Sequence, residues 1–227
     1  MMWRLRQVLL LLLSFSLALT DPLRSETDEE HEAKPDPRSY MAYLSTSDGP
    51  SCIGFLVAPQ WVMTSALCDA TYSVIRFNKT SSEVFRVEAN YPHPDYDKYD
   101  NSNDIRLLKL NSKGSLTEYV NTLRLPIFDR ELSDGTPCSV EGLGRVYEDV
   151  IVYGHSQCKK FYPHINYGKL CARRKDKSRT FYEADSGGPL VCNGVAEGIN
   201  LYPYPGCPGV YTRIAHYLPW IKRTMRL

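Results

Sequence analysis

Short apolar or alternating runs, separated by turn-forming residues, are the dominant pattern of this chain. Nine runs of four to eight residues follow this pattern: Ser39–Leu44, Cys52–Ala58, Trp61–Ala66, Val84–Tyr91, Ile105–Leu110, Cys138–Gly142, Pro189–Cys192, Val195–Leu201 and Val210–Ile214. Their lengths, and the Pro, Gly, Asn and Asp residues between them, are typical of β-strands joined by turns. The spacing predicts an all-β fold, either a barrel or a sandwich.

A different pattern occupies the C-terminus. Apolar residues recur there at helical spacing, at Ile214, Tyr217, Leu218, Ile221 and Met225. Basic residues in the last turn suit the free carbonyl groups at the end of a helix. The sequence therefore predicts one closing C-terminal α-helix, with Pro219 in its first turns.

Charge and apolar content narrow the possible functions. The 227 residues include 27 Lys and Arg against 26 Asp and Glu, and 43% of them are hydrophobic. These values disfavour a disordered chain, a collagen and a strongly basic nucleic-acid-binding protein. We expect one soluble domain, or at most two small ones, with no nucleic-acid partner.

The first twenty residues are predicted to be a secretory signal peptide. Arg4 and Arg6 precede an apolar run from Val8 to Leu19, which is shorter than the roughly 20 residues of a membrane-spanning helix. The alternative is an uncleaved anchor, and no later stretch is apolar enough to be a transmembrane segment. Residues 21–38 are predicted to form an acidic, Pro-rich arm, and residues 39–227 the folded domain of a secreted, extracellular protein.

Secretion would place the seven cysteines in an oxidising compartment, where thiols pair. Because seven is odd, at least one thiol has no partner within the chain. The sequon Asn78-Lys79-Thr80 predicts N-glycosylation at Asn78 in the same compartment, although sequons also occur by chance.

Three segments together carry a specific family resemblance. They are Trp61-Val-Met-Thr-Ser-Ala-Leu-Cys68, Asp104-Ile-Arg-Leu-Leu-Lys-Leu110 and Ala184-Asp-Ser-Gly-Gly-Pro-Leu-Val-Cys192. Their order and approximate spacing resemble the His, Asp and Ser segments of the trypsin/chymotrypsin family of serine peptidases. The likeness runs from about residue 31 to the end, and its opening, His31-Glu-Ala-Lys-Pro35, is most similar to the granzyme and chymase branch. The resemblance implies two antiparallel six-stranded β-barrels, a trypsin-like double barrel, with a catalytic cleft between them.

The resemblance also implies how the cysteines pair. Matching positions give the bridges Cys52–Cys68, Cys138–Cys192 and Cys158–Cys171. Cys207 is left free, because Tyr182 stands where its usual partner would be. Cys207 is then either a buried, inert thiol or one that is capped or paired with another molecule.

The implied catalytic positions depart from the family pattern at the general base. In this family an imidazole activates the serine, and a buried carboxylate orients that imidazole. Ser186 and Asp104 hold the nucleophile and orienting positions, but Leu67 stands where the family has its His. Leucine cannot accept a proton, and the resemblance places no other histidine to replace it. Since Leu201 replaces a serine that would bind Asp104, we expect a carboxylate with few partners and a raised pKa.

Three further parts of the implied machinery are altered. The oxyanion hole would use the backbone N–H groups of Ser186 and Ala184, and Ala184 replaces a glycine. In the family, cleavage frees an Ile or Val terminus whose ammonium pairs with the aspartate at the position of Asp185. Here the polar segment Thr27–Glu30 occupies the place of that terminus. The implied specificity pocket contains no acid, and its Pro203 has no N–H for a substrate strand. The pocket residues are Thr180, Leu201, Pro203 and Gly209.

These departures predict an inactive serine protease homologue that acts by binding a protein partner, an inhibitor or a substrate. The alternative is a serine endopeptidase with weak residual hydrolysis through Ser186. A set of basic residues suggests weak contact with glycosaminoglycans, although such a run is also typical of a solvated loop. The set consists of Lys169, Arg173, Arg174, Lys175, Lys177 and Arg179. The sequence predicts no cofactor and no metal site.

Overall fold

The computed structural model describes residues 39–46, 49–69, 74–77, 84–114, 116–117, 120–141, 148–175, 186–202 and 207–227. Several predictions of the sequence fall outside these ranges. They concern the signal peptide, the arm up to residue 38, the sequon at Asn78, the pocket residues Thr180 and Pro203, and the oxyanion residue Ala184.

The first six strands close into an antiparallel barrel. They are β1 (Met41–Thr46), β2 (Gly49–Ala58), β3 (Trp61–Thr64), β4 (Val74–Arg76), β5 (Phe85–Pro92) and β6 (Arg106–Leu110). The strands are neighbours in the order β1-β2-β3-β6-β5-β4, and β4 pairs back with β1. Because side chains alternate along a strand, Leu56, Val62 and Leu108 belong to one buried cluster and Phe55, Met63 and Leu107 to another.

The second six strands form a second closed antiparallel barrel. They are β7 (Pro137–Val140), β8 (Glu148–Tyr153), β9 (Lys169–Arg174), β10 (Pro189–Cys192), β11 (Val195–Tyr202) and β12 (Gly209–Arg213), in the order β10-β11-β12-β9-β8-β7. A single helical turn, α1 (His155–Cys158), follows β8. The buried cluster of the second barrel includes Val140, Val150, Leu190 and Tyr211. The prediction of two antiparallel six-stranded barrels is confirmed.

The chain ends in the predicted helix. A 3₁₀ turn (Ile214–Tyr217) leads into α2 (Leu218–Met225), and Pro219 lies in the first turn, where its missing N–H leaves no bond unmade. Trp220 and Ile221 share a buried cluster with Phe55 of β2 and Ile199 of β11. The helix therefore covers an apolar surface to which both barrels contribute. Among the residues that the structure describes, no helix combines the length and the apolarity needed to cross a bilayer.

Three disulfide bridges connect neighbouring elements within the two barrels. The structure forms the three bridges that the family resemblance implies, Cys52–Cys68, Cys138–Cys192 and Cys158–Cys171. The first attaches β2 to the segment after β3, the second connects β7 with β10, and the third connects α1 with β9. Cys207 is free and partly exposed, so it is not a fully buried thiol.

His93, which follows β5, connects the first barrel with α2. The centroid of its ring lies 5.1 Å from that of Trp220 and 5.4 Å from that of Tyr217. Its Nδ1 accepts a hydrogen bond of 3.2 Å from the backbone N–H of Asp95. Burial lowers the pKa of His93 below 6.5, and Arg223 and His216 act in the same direction, whereas Asp95 opposes the shift.

We therefore expect acid to weaken the junction between the first barrel and α2. Because the folded-state pKa of His93 lies below the unfolded value, the unfolded chain binds the proton more readily. The contribution of His93 to stability is complete above about pH 6.5 and is lost as the pH falls through the folded-state pKa. His93→Gln should reduce the change in Tm between pH 7 and pH 5, and an unchanged slope would contradict this assignment.

Candidate functional site

Ser186 lies three residues before the start of β10, where both barrels bind the backbone. Its carbonyl accepts a hydrogen bond of 3.4 Å from the N–H of Ile53 on β2. The N–H of Gly187 donates to the carbonyl of Asn200 on β11 at 3.2 Å. Gly187 has a φ of 91°, which glycine adopts easily. The half-buried Ser186 is thus fixed between a strand of each barrel.

Asp104 lies just before β6 and is only 1% exposed. Its Oδ1 and Oδ2 accept hydrogen bonds from the hydroxyl of Ser65, at 2.8 and 2.7 Å. Oδ1 also accepts the backbone N–H of Leu67 at 2.9 Å. On the second barrel, the Thr212 hydroxyl donates to the backbone carbonyl of Asp104 at 2.8 Å. The first barrel thus binds the carboxylate of Asp104, and the second barrel binds its backbone carbonyl.

Burial is the main influence on the protonation of Asp104. It raises the pKa of this carboxyl, while the hydrogen bonds from Ser65, Leu67 and Ala66 oppose the shift. The direction agrees with the expectation from the sequence. The expectation of few partners is wrong, however, because the Ser65 hydroxyl supplies a side-chain donor that the sequence analysis did not consider.

Leu67 occupies the turn between β3 and Cys68, and its side chain is 57% exposed. Its backbone N–H donates to Oδ1 of Asp104. The next residue is close to the nucleophile position, since the Sγ of Cys68 lies 4.0 Å from the Oγ of Ser186. Position 67, next to Cys68 in the chain, thus carries an isobutyl group, which has neither a proton donor nor an acceptor.

The four histidines in the described part of the chain lie elsewhere. The ring of His155 stacks on Tyr167 at 4.2 Å, and the ring of His216 lies 5.0 Å from that of Tyr217. His93 packs against α2, and His164 lines a separate cavity. No imidazole of the described residues is hydrogen-bonded to Ser186, and no three His, Cys, Asp or Glu side chains among them could hold a metal ion.

The structure describes two of the four predicted pocket residues. Leu201 is buried at an irregularity in the pairing of β11 with β12, and it shares a cluster with Val210 and the Cys158–Cys171 bridge. Gly209 pairs with Ala172 of β9 and immediately precedes Val210. Leu201 and Gly209 are thus close to one another in the second barrel.

A cavity of about 350 Å³, which the sequence does not predict, lies between the two barrels. The loop after β5 contributes Asp100 and Ser102, and the second barrel contributes aromatic and basic side chains, among them Phe161, Tyr162, His164 and Lys169. The Nζ of Lys169 donates to the carbonyl of Asp100 at 2.8 Å across this cavity. A cavity with apolar rings and a few polar groups suits a peptide side chain. No pattern in the sequence indicates it, because its walls come from segments about 60 residues apart.

The predicted basic set does not form a single exposed surface. Arg174 is buried at 9% exposure, and the guanidinium of Arg173 lies 5.4 Å from the ring of Tyr153. Lys169 is half-buried, so Lys175 is the only exposed member among the four that the structure describes. Lys177 and Arg179 lie outside the described residues.

Comparison with known proteins places this geometry in a family. A family model described as Trypsin matches residues 28–221. Granzyme F of Mus musculus is 37% identical over 240 residues, which cover 93% of this chain and 97% of the granzyme. Duodenase-1 of Bos taurus is 37% identical over 221 residues, which cover 86% of this chain and 88% of the duodenase.

Solved structures agree with these relatives. Neuropsin, described as a serine protease expressed in the limbic system of mouse brain, has a TM-score of 0.73 and 29% identity, and the match covers 84% of this chain and 96% of neuropsin. Kallikrein-related peptidase 10 in complex with Zn²⁺ has a TM-score of 0.75 and 28% identity over 84% of this chain and 97% of the kallikrein. From its two barrels, its disulfides and these matches, the chain belongs to the trypsin family of serine proteases.

Proposed function

We propose that this member of the trypsin family is proteolytically inactive and acts by binding a protein partner, an inhibitor or a substrate. Leu67 is the observation that carries the proposal. It occupies the position that the family resemblance assigns to the catalytic His, and its side chain cannot accept a proton. Without an adjacent base, the hydroxyl of Ser186 is a weak nucleophile at neutral pH.

The hydrogen bonds of Asp104 support this proposal. In an active triad the carboxylate orients an imidazole and stabilises the imidazolium that forms. Here the side-chain partner of the carboxylate is the hydroxyl of Ser65, and the backbone N–H of Leu67 donates to it as well. Among the described residues, no side chain is hydrogen-bonded to both Asp104 and Ser186, which fits the loss of the base.

Secretion is part of the same proposal. Three disulfide bridges between the described cysteines are typical of a protein that folds in an oxidising compartment. The predicted signal peptide and the predicted glycosylation at Asn78 fit the same compartment. Sequencing of the N-terminus of the protein recovered from culture medium would test cleavage after about residue 20.

A binding role needs an accessible surface, and the cavity at Asp100 and Lys169 offers one. Its volume of about 350 Å³, next to the exposed Phe161, would accept a side chain of a bound peptide. Contact with glycosaminoglycans stays a prediction that draws little support from the described basic residues, of which only Lys175 is exposed. Elution from heparin below physiological salt would argue against such contact.

A fluorophosphonate probe provides the decisive test of inactivity, because it reacts only with an activated serine. We expect no labelling of the purified secreted protein, before or after limited proteolysis, at concentrations that label active trypsin completely. Removal of triad residues leaves about 10³–10⁴-fold catalysis over water where the rest of the site is intact, so long incubation is needed.

The matched control for this labelling experiment is Ser186→Ala. Labelling of the wild-type protein that disappears in Ser186→Ala would show that a replacement base exists. That outcome would support the alternative function, a serine endopeptidase with weak residual hydrolysis through Ser186.

A further inference from the structure

Asp104 presents a problem that any trypsin-family chain without the catalytic His must solve. Its carboxylate is 1% exposed, and a buried ionised group without hydrogen-bond partners is strongly destabilising. The side chain at position 67 is apolar and faces solvent, so it offers no partner. Position 67 contributes only its backbone N–H, so a side-chain donor must come from elsewhere in the structure.

Ser65 supplies the missing donor. Its hydroxyl is completely buried and lies within 2.8 Å of both carboxylate oxygens. The guanidinium of Arg106 is nearby, but its nitrogens donate to the carbonyl of Ala66 at 2.6 Å and to Oδ1 of Asn90 at 2.9 Å. In the described part of the chain, Ser65 is the only side chain that donates a hydrogen bond to this carboxylate.

The turn after β3 holds the Ser65 hydroxyl in place. The carbonyl of Ser65 accepts the N–H of Cys68 at 3.2 Å, and its Oγ accepts the N–H of Leu67 at 3.1 Å. A hydroxyl has one proton to donate and two lone pairs to accept. The hydroxyl donates its proton to Asp104, and one of its lone pairs accepts the N–H of Leu67. The turn therefore orients the only proton of this hydroxyl toward the carboxylate.

We propose that Ser65 is a positioning residue that replaces the side-chain partners of Asp104 lost at positions 67 and 201, and that it stabilises the buried carboxylate in its ionised form. The inference rests on the proposed absence of a base at position 67. It means that the former catalytic site has been rebuilt as a structural hydrogen-bonded unit, in which Ser65, Leu67 and Asp104 join β3 to the segment before β6.

Ser65→Ala tests this role through the pH dependence of stability. At pH 7 the variant leaves an ionised Asp104 without its hydroxyl donor, and we expect the folding equilibrium constant to fall about tenfold or more. Loss of the hydroxyl raises the pKa of Asp104 further, so the folded variant takes up the proton more readily as the pH falls. The deficit against wild type should therefore shrink to about threefold or less near pH 4.

Thr64→Val is the matched control. The hydroxyl of Thr64 is equally buried and belongs to the adjacent residue, but it donates to the neutral carbonyl of Ile53 at 2.7 Å. Its loss should weaken folding by the same factor at pH 7 and pH 4. A deficit of Ser65→Ala that is equally independent of pH would overturn the proposal.

Two further backgrounds keep the test decisive if Ser65→Ala alone folds poorly. In Asp104→Asn the charge is absent. Adding Ser65→Ala to that variant should lower the folding equilibrium constant by less than about threefold, because the hydroxyl no longer stabilises a carboxylate. With Leu67→His an imidazole N–H can reach the carboxylate, and adding Ser65→Ala should likewise cost less than it does in wild type. Full additivity in both backgrounds would refute the role of Ser65.

These measurements separate this inference from the proposed inactivity. Fluorophosphonate labelling of the wild type at Ser186 would overturn the inactivity, while the pH-dependent deficit of Ser65→Ala would stand. Conversely, an unlabelled wild type with a pH-independent Ser65→Ala deficit would overturn only the role of Ser65.

Discussion

Gly187→Ala is expected to destabilise the folded protein by about 4 kcal/mol or more. Gly187 has a φ of 91°, and a Cβ added there would overlap the carbonyl oxygen of Ile53 and the hydroxyl of Thr64. The backbone cannot move away cheaply, because Ser186 accepts the N–H of Ile53 and Gly187 donates to Asn200. For a chain of this size the loss corresponds to a decrease in Tm of about 10 °C.

Gly135→Ala is the control that separates backbone strain from the steric overlap. Gly135 has a φ of 80°, but a Cβ there would meet no atom within 4 Å. Its replacement should therefore cost only the strain of a left-handed residue, about 1–2 kcal/mol. Thermal or denaturant unfolding of both variants would measure the difference. Equal losses at the two positions would show that the Ser186 segment is not tightly packed against the first barrel.

The sequence predicts the fold well wherever a run is almost entirely apolar. The predicted run Cys52–Ala58 lies within β2. The predicted run Pro189–Cys192 coincides with β10. Three strands, β4, β8 and β9, were not predicted, and each omission has a physical reason. β4 has only three residues, and β8 begins with the acids Glu148 and Asp149.

β9 was missed because basic residues obscure its apolar pattern. Its sequence carries Lys169, Arg173 and Arg174, which suggested a solvated loop. In the structure Leu170 and Ala172 lie in the buried cluster of the second barrel, and Arg174 is also buried. Long basic side chains can bury their methylene groups while the charged group finds partners. Composition alone therefore misrepresents such a strand.

The site was predictable only where the family resemblance assigns a role to a position. It identified Leu67, Ser186 and Asp104, but it did not identify Ser65, which lies within a segment that otherwise matches the family pattern. The bond from Ser65 to Asp104 spans 39 residues of sequence. It depends on how the turn after β3 faces the segment before β6, and neither propensity nor spacing contains that information.

Leu67→His by itself is expected to leave peptide hydrolysis close to background. The new imidazole would lie near Asp104, because the backbone N–H of position 67 is 2.9 Å from Oδ1. A general base contributes about 10²–10⁴-fold to the rate. That gain requires a serine held in the active geometry and an oxyanion hole, and loss of one oxyanion donor alone costs about 10²–10³-fold in kcat.

A combined variant tests whether the other departures matter. It carries Leu67→His, Ala184→Gly, and Thr27→Ile with Asp28→Val behind a cleavable leader, so that cleavage frees an apolar N-terminus able to pair with Asp185. We expect kcat/KM on a panel of peptide substrates to exceed that of Leu67→His alone by about 100-fold or more. Ser186→Ala in each background controls for contaminating proteases.

The outcome distinguishes loss of one residue from loss of the whole machinery. Strong hydrolysis by Leu67→His alone, dependent on Ser186, would mean that only the base had been lost and that Ala184 and the polar terminus are tolerated. Activity that appears only in the combined variant would mean that the site had been dismantled at several points. A combined variant that reacts with fluorophosphonate but does not hydrolyse peptides would have a restored nucleophile and a defective substrate strand. Pro203→Gly, which restores a backbone N–H there, should then recover hydrolysis.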